Sequence, residues 1–374
     1  MSSIDDPCAQ AAALARAHVA GREDIYDPAV PFPFDIWAAL GKAGMLGLGL
    51  PREYGGGGCG YPELLAVCGA FVQAGRNPGL ASAWLSQTLI GRLILGASGS
   101  EAQKREYMPR LATGALIAAV AISEPGAGAH PKRLSATAVR DGGDWVLNGD
   151  KAWITNGPVA GLYIVLAVSA ESGGRKQFSA YLVARETQGL SQTDAGSVDF
   201  LRPVKHGGLR LQNCRVPVAN MIGPEGQAFE TISKPIREVE DILGLGIGLG
   251  GRAAQLDLLR GLIDASASQL TGEQFESLGA LQATQAALRI LAYSLADGLD
   301  QAGGADPTAP LLAAKRLARQ FQTDFSDCVK SLQLPENMEL SPLSRDLTKL
   351  ADLASGVDRA KAARLGKSLI QNED

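Results

Sequence analysis

The histidines and cysteines able to ligate a metal or support attack on a substrate are few in this chain, and their spacing argues against both roles. There are three histidines, His18, His130 and His206, and no two share the i, i+4 helical spacing that a zinc site uses. Without a histidine cluster, zinc-assisted hydrolysis and Ser-His-Asp chemistry both lose a group they need, so no metal site is expected. The five cysteines, Cys8, Cys59, Cys68, Cys214 and Cys328, are odd in number with no C-x-x-C. They read as free thiols rather than a disulfide framework. Residues 246–251 spell GIGLGG and fit the G-x-G-x-x-G of a dinucleotide loop. That motif needs a preceding strand and a βαβ frame, whereas its surroundings here are helical. These glycines are expected instead to let a helix approach its neighbours closely, despite their intrinsic cost.

Three zones must position whatever chemistry there is. Residues 1–118 read as helical. DIWAALGKAGM (35–45) puts Ile36, Trp37, Leu40 and Met45 on one face behind Asp35 as N-cap. After PREYGGGGCGY another helix is expected over about 61–75. SGSEAQKREYMPRLATG predicts a helix capped by Ser100, with Glu101 in its first turn and Gly114 past its end. Over 119–223 the period becomes two, with turn signals at Asp141-Gly142-Gly143 and Asn148-Gly149. Hairpins this short imply an antiparallel sheet or barrel. From 224 to 374 the chain is helical again, with Leu281, Leu288, Leu291, Leu295 and Leu299 forming one stripe. The expected fold class is therefore α+β: an N-terminal helical domain (1–118), a middle β domain (119–223) and a C-terminal four-helix-bundle-like domain (224–374).

Composition narrows the function. Of 374 residues, 46% are hydrophobic and 20% charged, which supports a buried core and excludes a disordered tail. Glycine is the outlier, at 45 residues, or about 12% against a usual ~7%, with no collagen period. A formal charge of −4 gives no electrostatic footprint for nucleic acid. No apolar run approaches the ~20 residues of a bilayer-spanning helix, and MSSIDDPCAQ lacks the basic and apolar regions of a signal peptide. A cytoplasmic location with no membrane partner is the expectation.

The ordered set of segments resembles the acyl-CoA dehydrogenase family. AVAISEPGAGAH (119–130) is similar to that family's T/S-E-P-x-A-G-S-D segment, and KAWITNG (151–157) to its K-x-W-I-T-N motif. GMLGLGLPREYGGGG and EAQKREYMPRLATG resemble its N-terminal domain, and CRVPVANMIGPEGQAF the segment that leaves its sheet. Together these cover roughly residues 32–260 in the family's order. The resemblance implies FAD as cofactor and α,β-dehydrogenation of an acyl-CoA thioester to the 2,3-enoyl-CoA. A carboxylate would remove the pro-R α-proton, the β-hydride would pass to FAD, and an electron-transfer flavoprotein would take the electrons. It implies further that Thr155 hydrogen-bonds flavin N5 and that Trp153 packs on the ring. Ser123 and nearby amides would serve the pyrimidine edge, with Ile122 and Ile154 beside them. A flavin slot needs donors where negative charge develops. Taken singly, a strand threonine, a core tryptophan and a turn serine are ordinary residues.

The base is the next question the resemblance poses. Many members draw it from a near-C-terminal Y-E-G-T-S motif, but the matching stretch LASGVDRAKAARLGKSLI has Ser355 before Gly356 and no glutamate. A second group places the glutamate on the helix after the β domain, where REVEDILGLGIG puts Glu240, followed by Asp241 in place of the usual arginine. Glu238, Glu240 and Asp241 together could raise one pKa by repulsion. The alternative is an acidic first turn of a helix. Ala129-His130 stands where Ser-Asp is common, so Ala129, His130 and Glu238 are the residues expected toward the substrate. His130 could bond a phosphopantetheine carbonyl or be a plain loop residue.

Two family motifs are missing. ASASQLTGEQFESLGALQ has no R-x-x-F-G-K, and KSLQLPENMELSPLSRD has no Q-x-x-G-G-x-G-Y. In the family these grip the FAD diphosphate and adenine of a neighbouring subunit. Losing such an arginine contact forfeits ~1.5–3 kcal/mol. The expected assembly is a hetero-oligomer with a related subunit that supplies the ADP-side contacts, otherwise a homo-oligomer. A non-catalytic partner subunit and a same-fold flavin monooxygenase are the competing functions.

Overall fold

A computed structural model describes residues 6–266, 269–301, 305–334 and 337–371; residues 1–5 of the N-terminal stretch considered above lie outside them. In chain order its helices are α1 (Pro7–His18), α2 (Phe34–Lys42), α3 (Tyr61–Gly75) and α4 (Pro78–Leu89), which continues through a π-helical stretch into α5 (Gly96–Ser98). They continue as α6 (Glu101–Ala112), α7 (Lys234–Ser266), α8 (Gly272–Asp300), α9 (Thr308–Leu332), α10 (Leu340–Asp352) and α11 (Ser355–Gln371). The eight strands among the described residues lie between α6 and α7: β1 (Ala118–Ala121), β2 (Thr137–Asp141), β3 (Asp144–Thr155), β4 (Leu162–Ser172), β5 (Arg175–Ala184), β6 (Leu190–Thr193), β7 (His206–Pro217) and β8 (Met221–Ile222). The helix–sheet–helix order is the α+β plan expected. The chain divides into two compact units.

The first unit holds Arg22–Cys59 and Ser82–Glu240. Its strands form one open sheet in the order β6-β7-β3-β2-β4-β5-β8, with β1 beside β4. Most pairs are antiparallel, but β1 lies parallel to β4, and a single parallel contact joins β2 to β4. Asp141 pairs with Asp144 across Gly142-Gly143, the tight turn its residues called for. Asn148-Gly149 is not a turn. β3 runs straight through it, and the register against β7 slips there between Leu147 and Gly149, so the glycine marks a bulge. The N-cap of α2 is Pro33, not Asp35; Asp35 sits in the first turn and bonds Arg22 at 3.2 Å. Ser100 does cap α6, in a reciprocal box with Gln103. Gln87 on α4 fastens helix to sheet: its amide donates to Leu111 O and Leu116 O, and its oxygen accepts from Ala118 N at the head of β1.

The second unit holds Asp6–Gly21, Gly60–Ala81 and Asp241–Asp374. Its core joins α7, α8, α9 and α10 through Leu259, Leu281, Phe321, Phe325, Leu343 and Leu347, all nearly solvent-free. Leu281, Leu288 and Leu295 of the expected stripe are buried, while Leu291 and Leu299 are half-buried at its margin. The glycines of GIGLGG are helical, as their setting implied. A methyl group on Gly250 would collide with the carbonyl of Gly69 on α3, and one on Gly246 would lie 2.5 Å from Leu65 O. Here α7 and α3 touch main chain to main chain. Contrary to the expectation from sequence, one stretch within Phe229–Ser266 is apolar and long enough to cross a membrane, but 78% of that stretch is buried, as in a core helix.

Candidate active site

One cleft of the first unit gathers most of the residues singled out from sequence. The sheet side supplies Val120 from β1, Ile122, Ser123 and Ala129 from the loop after it, and Ala152, Trp153 and Thr155 from β3. The helix side supplies Ser86 and Leu89 from α4, then Ser233, Ile236, Arg237 and Glu240. The sheet-side wall is wholly neutral. Both charges on the opposite wall, Arg237 and Glu240, come from one turn of α7.

The loop that carries Ile122, Ser123 and Ala129 is held by a buried ion pair. Lys151 Nζ donates to Glu124 Oε1 at 2.9 Å and to Ile122 O at 3.1 Å. Glu124 also accepts from Ser135 N, Ser135 Oγ and Ala136 N, at 2.7, 2.8 and 2.9 Å. Burial pushes this carboxyl up, but Lys151 and the two amides outweigh it and hold the group below the usual carboxylate range. Ser123 O accepts from Ala152 N at 2.9 Å, so the loop is laced onto β3 directly beside the cleft.

Trp153 breaks the alternation of β3. Its φ of 55° lies in the left-handed region, and the register against β7 shifts between Lys151 and Ile154. The bulge turns the indole outward, leaving it 47% exposed on the cleft. Gly196 makes room for this: its φ is 79°, and a Cβ there would sit 2.6 Å from Trp153 Cγ. One residue on, the side chain of Ile154 is buried and outside the cleft lining, so any part it plays in the site is through its backbone. Thr155 returns to the cleft. Its Oγ1 lies 3.2 Å from Nε2 of His206, its register partner on β7. Burial first, then the nearby Arg202 charge, pushes His206 down to about 4, so its imidazole is neutral at neutral pH.

Of the three carboxylates expected together, Glu240 alone lines the cleft. Glu240 is exposed and lines the cleft, whereas Glu238 is exposed and does not line it. Asp241, which opens the second unit's share of α7, is bound by Lys315 at 3.0 Å, and Lys315 also reaches Asp358 at 3.2 Å. Ala129 lines the cleft, while His130 is exposed outside its lining. Among the described residues no group of three His, Cys, Asp or Glu is placed to hold a metal. His206 and the Glu124–Lys151 pair escaped the sequence reading, because each acquires its role only through a pairing 27 or 51 residues away along the chain.

Comparisons with known proteins agree with this layout. Residues 8–115 match the family model for the acyl-CoA dehydrogenase N-terminal domain, and residues 119–214 that for the acyl-CoA dehydrogenase middle domain. The chain is 28% identical over 345 residues to the mitochondrial isovaleryl-CoA dehydrogenase of Pongo abelii, covering 89% of this chain and 80% of that protein. It is 32% identical over 243 residues to an acyl-CoA dehydrogenase of Bacillus subtilis, covering 65% of this chain and 61% of the relative. Among solved structures, the prolyl acyl carrier protein oxidase AnaB superimposes with a TM-score of 0.85 at 23% identity, covering 97% of both chains. A glutaryl-coenzyme A dehydrogenase–glutaryl-CoA complex does so at 0.84 and 21%, covering 98% of this chain and 94% of the other.

Proposed function

The chain belongs to the acyl-CoA dehydrogenase family, whose members are FAD-dependent oxidoreductases, and on that premise we propose that Glu240 takes the α-proton of an acyl-CoA thioester held against a flavin slot made by Trp153, Thr155 and Ser123. The product is the 2,3-enoyl-CoA. The observation that carries this reading is the joining of those four side chains in one cleft of one unit. A neutral wall with a half-exposed indole and two hydroxyls suits a flat ring with polar edges. FAD, when bound, supplies the acceptor for the β-hydride.

The remaining work falls to the chain's own groups. Trp153 offers its face to the ring, Thr155 its hydroxyl at N5, and Ser123 with the amides around Ile122 the donors for the pyrimidine edge. Glu240 holds the abstracted proton on its carboxylate. With the cleft open, this carboxylate is exposed to water. A thioester laid over it strips that water away, and desolvation raises the pKa of a carboxylate, making it a stronger base when the substrate is in place. Ala129 is the substrate-side residue this reading keeps, since His130 and Glu238 stand outside the cleft lining.

The reading extends to assembly. The first turn of α8 carries Glu273, with Glu276 just after it and Phe275 61% exposed. This turn falls in the segment that lacks the family's diphosphate-gripping arginine, and carboxylates there repel a diphosphate. A related subunit would supply the ADP-side contacts, and an electron-transfer flavoprotein would accept the electrons.

The test is anaerobic mixing of the purified chain with acyl-CoA thioesters, alone and with a related subunit, while following the visible flavin absorption. Bleaching by a thioester in the wild type, and its loss in a Glu240→Gln variant that keeps its FAD, is the expected result. A Glu240→Gln variant that bleaches at the wild-type rate refutes the base assignment. Substrate hydroxylation surviving in Glu240→Gln would identify a monooxygenase, and full FAD occupancy as a homo-oligomer would remove the need for a partner.

A further inference from the structure

His206 is a half-buried, neutral polar group beside the flavin slot, and the mechanism above makes no use of it. It opens β7 directly opposite Thr155, the last residue of β3, and the two are register partners. Nε2 lies 3.2 Å from Thr155 Oγ1, while Nδ1 is buried with no hydrogen-bond partner among the described residues. The end of the strand is itself tethered: Lys205 Nζ donates to Pro28 O and Val30 O, both at 3.0 Å.

A neutral imidazole has two tautomers, and this geometry separates them. If the proton were on Nδ1, a buried N–H would lack an acceptor, and Thr155 would spend its only hydrogen on Nε2. If it is on Nε2, that N–H donates to Thr155 Oγ1, and the orphan at Nδ1 is a lone pair. Orphaned buried donors are the rarer and costlier of the two. In the second arrangement the threonine oxygen accepts from the histidine, so its own hydrogen is released toward the cleft.

We propose that His206 is a positioning residue that fixes the direction of the Thr155 hydroxyl, holding its hydrogen toward the cleft as a donor to the acceptor nitrogen N5 of an oxidised flavin ring. This rests on the proposed function for the identity of the ring. The link from His206 to Thr155 is a property of the chain alone. A donor already donated to is polarised and donates more strongly. The chain His206 Nε2–H to Thr155 Oγ1–H to the ring therefore strengthens the bond that readies N5 to receive hydride. His206 touches neither the ring nor the substrate in this account and acts only through Thr155.

Two measurements test it. In the chain without FAD, long-range proton–nitrogen spectra of 15N-labelled histidine should show His206, assigned by its loss in His206→Gln, as the neutral Nε2–H tautomer at pH 7. Finding the proton on Nδ1 overturns the proposal, whether or not the chain binds FAD. In the loaded protein, the flavin midpoint potential is compared among wild type, His206→Phe and His206→Gln. Phenylalanine keeps the ring volume and removes the donor, whereas glutamine restores an N–H. The expected result is a roughly tenfold less favourable reduction in His206→Phe, about 30 mV for a two-electron couple, with His206→Gln near wild type. An unchanged potential in His206→Phe, or an equal fall in both variants, overturns it. If no form takes up FAD even with a related subunit present, the proposed function fails, and the tautomer measurement alone decides the role of His206.

Discussion

Lys151 and Glu124 meet at 2.9 Å with side-chain exposures of 0% and 5%, so the charge of each depends on the other. The pair sits between β3 and the loop that brings Ser123 to the cleft, and Lys151 reaches the Ile122 carbonyl as well. Site geometry and stability are therefore tied to the same two residues.

Removing one partner leaves the other buried and uncompensated, which costs ~3–5 kcal/mol. Lys151→Met should lower unfolding stability by that amount in urea titrations, and FAD uptake should fall with it. A loss under about 1 kcal/mol would show that the pair is not structural. Its pH signature is also specific. A carboxyl held below its unfolded value of ~4.3 contributes stability that is present above that pH and is lost as pH falls through the folded value. The stability gap between wild type and Glu124→Gln should be flat from pH 8 to about 5 and narrow below ~4.3.

His206 loses stability in a different window. It is a base whose folded value, about 4, lies below the ~6.5 of an unfolded histidine. Between those two pH values the unfolded chain binds the proton and the folded one does not, so stability declines as pH falls from ~6.5 toward 4. Between pH 7 and pH 5 the loss from this residue should be about 2 kcal/mol. His206→Gln, which does not titrate, should remove that slope; an unchanged slope would show that the imidazole is hydrated.

Trp153 should contribute to folding as well as to binding. With its indole 47% exposed, Trp153→Ala gives up the buried half of a large side chain, and unfolding stability should fall by ~2–3 kcal/mol. Loss of the stacking face is worth ~0.5–1.5 kcal/mol, up to a tenfold rise in the FAD dissociation constant. Fluorescence titration of apoprotein against FAD reads this directly. Equal affinity in both proteins would place the ring elsewhere.

Gly196 tests the same indole from its other side. An added Cβ would crowd the backbone nitrogen and Cγ of Trp153 at a φ of 79°. Gly196→Ala is expected to cost ~1–3 kcal/mol of stability and to weaken FAD binding by displacing Trp153. Wild-type stability in that variant would show that the 195–197 turn yields easily.

What the sequence disclosed and what it withheld divide along the range of the interactions. The Ser100 cap, the Asp141–Asp144 hairpin and the helical GIGLGG depend on neighbours a few residues apart, and each came out as expected. Asn148-Gly149 misled because a glycine that serves a bulge carries the same signature as one that serves a turn. Within KAWITN, the outward turn of Trp153 and the burial of Ile154 depend on a register shift against β7. That shift is a long-range pairing which no local periodicity encodes. Thr155 could be picked out alone, but His206 could not, since only the register makes them neighbours.

The contact of α7 with α3 at Gly250 and Gly69 bears on how this chain could be altered over time or by design. Where two helices touch through their main chains, no rotamer is available to take up an added atom, and a larger residue on one side has no smaller one opposite to trade against. Compensating pairs of substitutions, the ordinary route by which packed helices drift, are closed at this point. A surplus of glycine usually signals slack in a chain; at this crossing it marks the place with the narrowest tolerance.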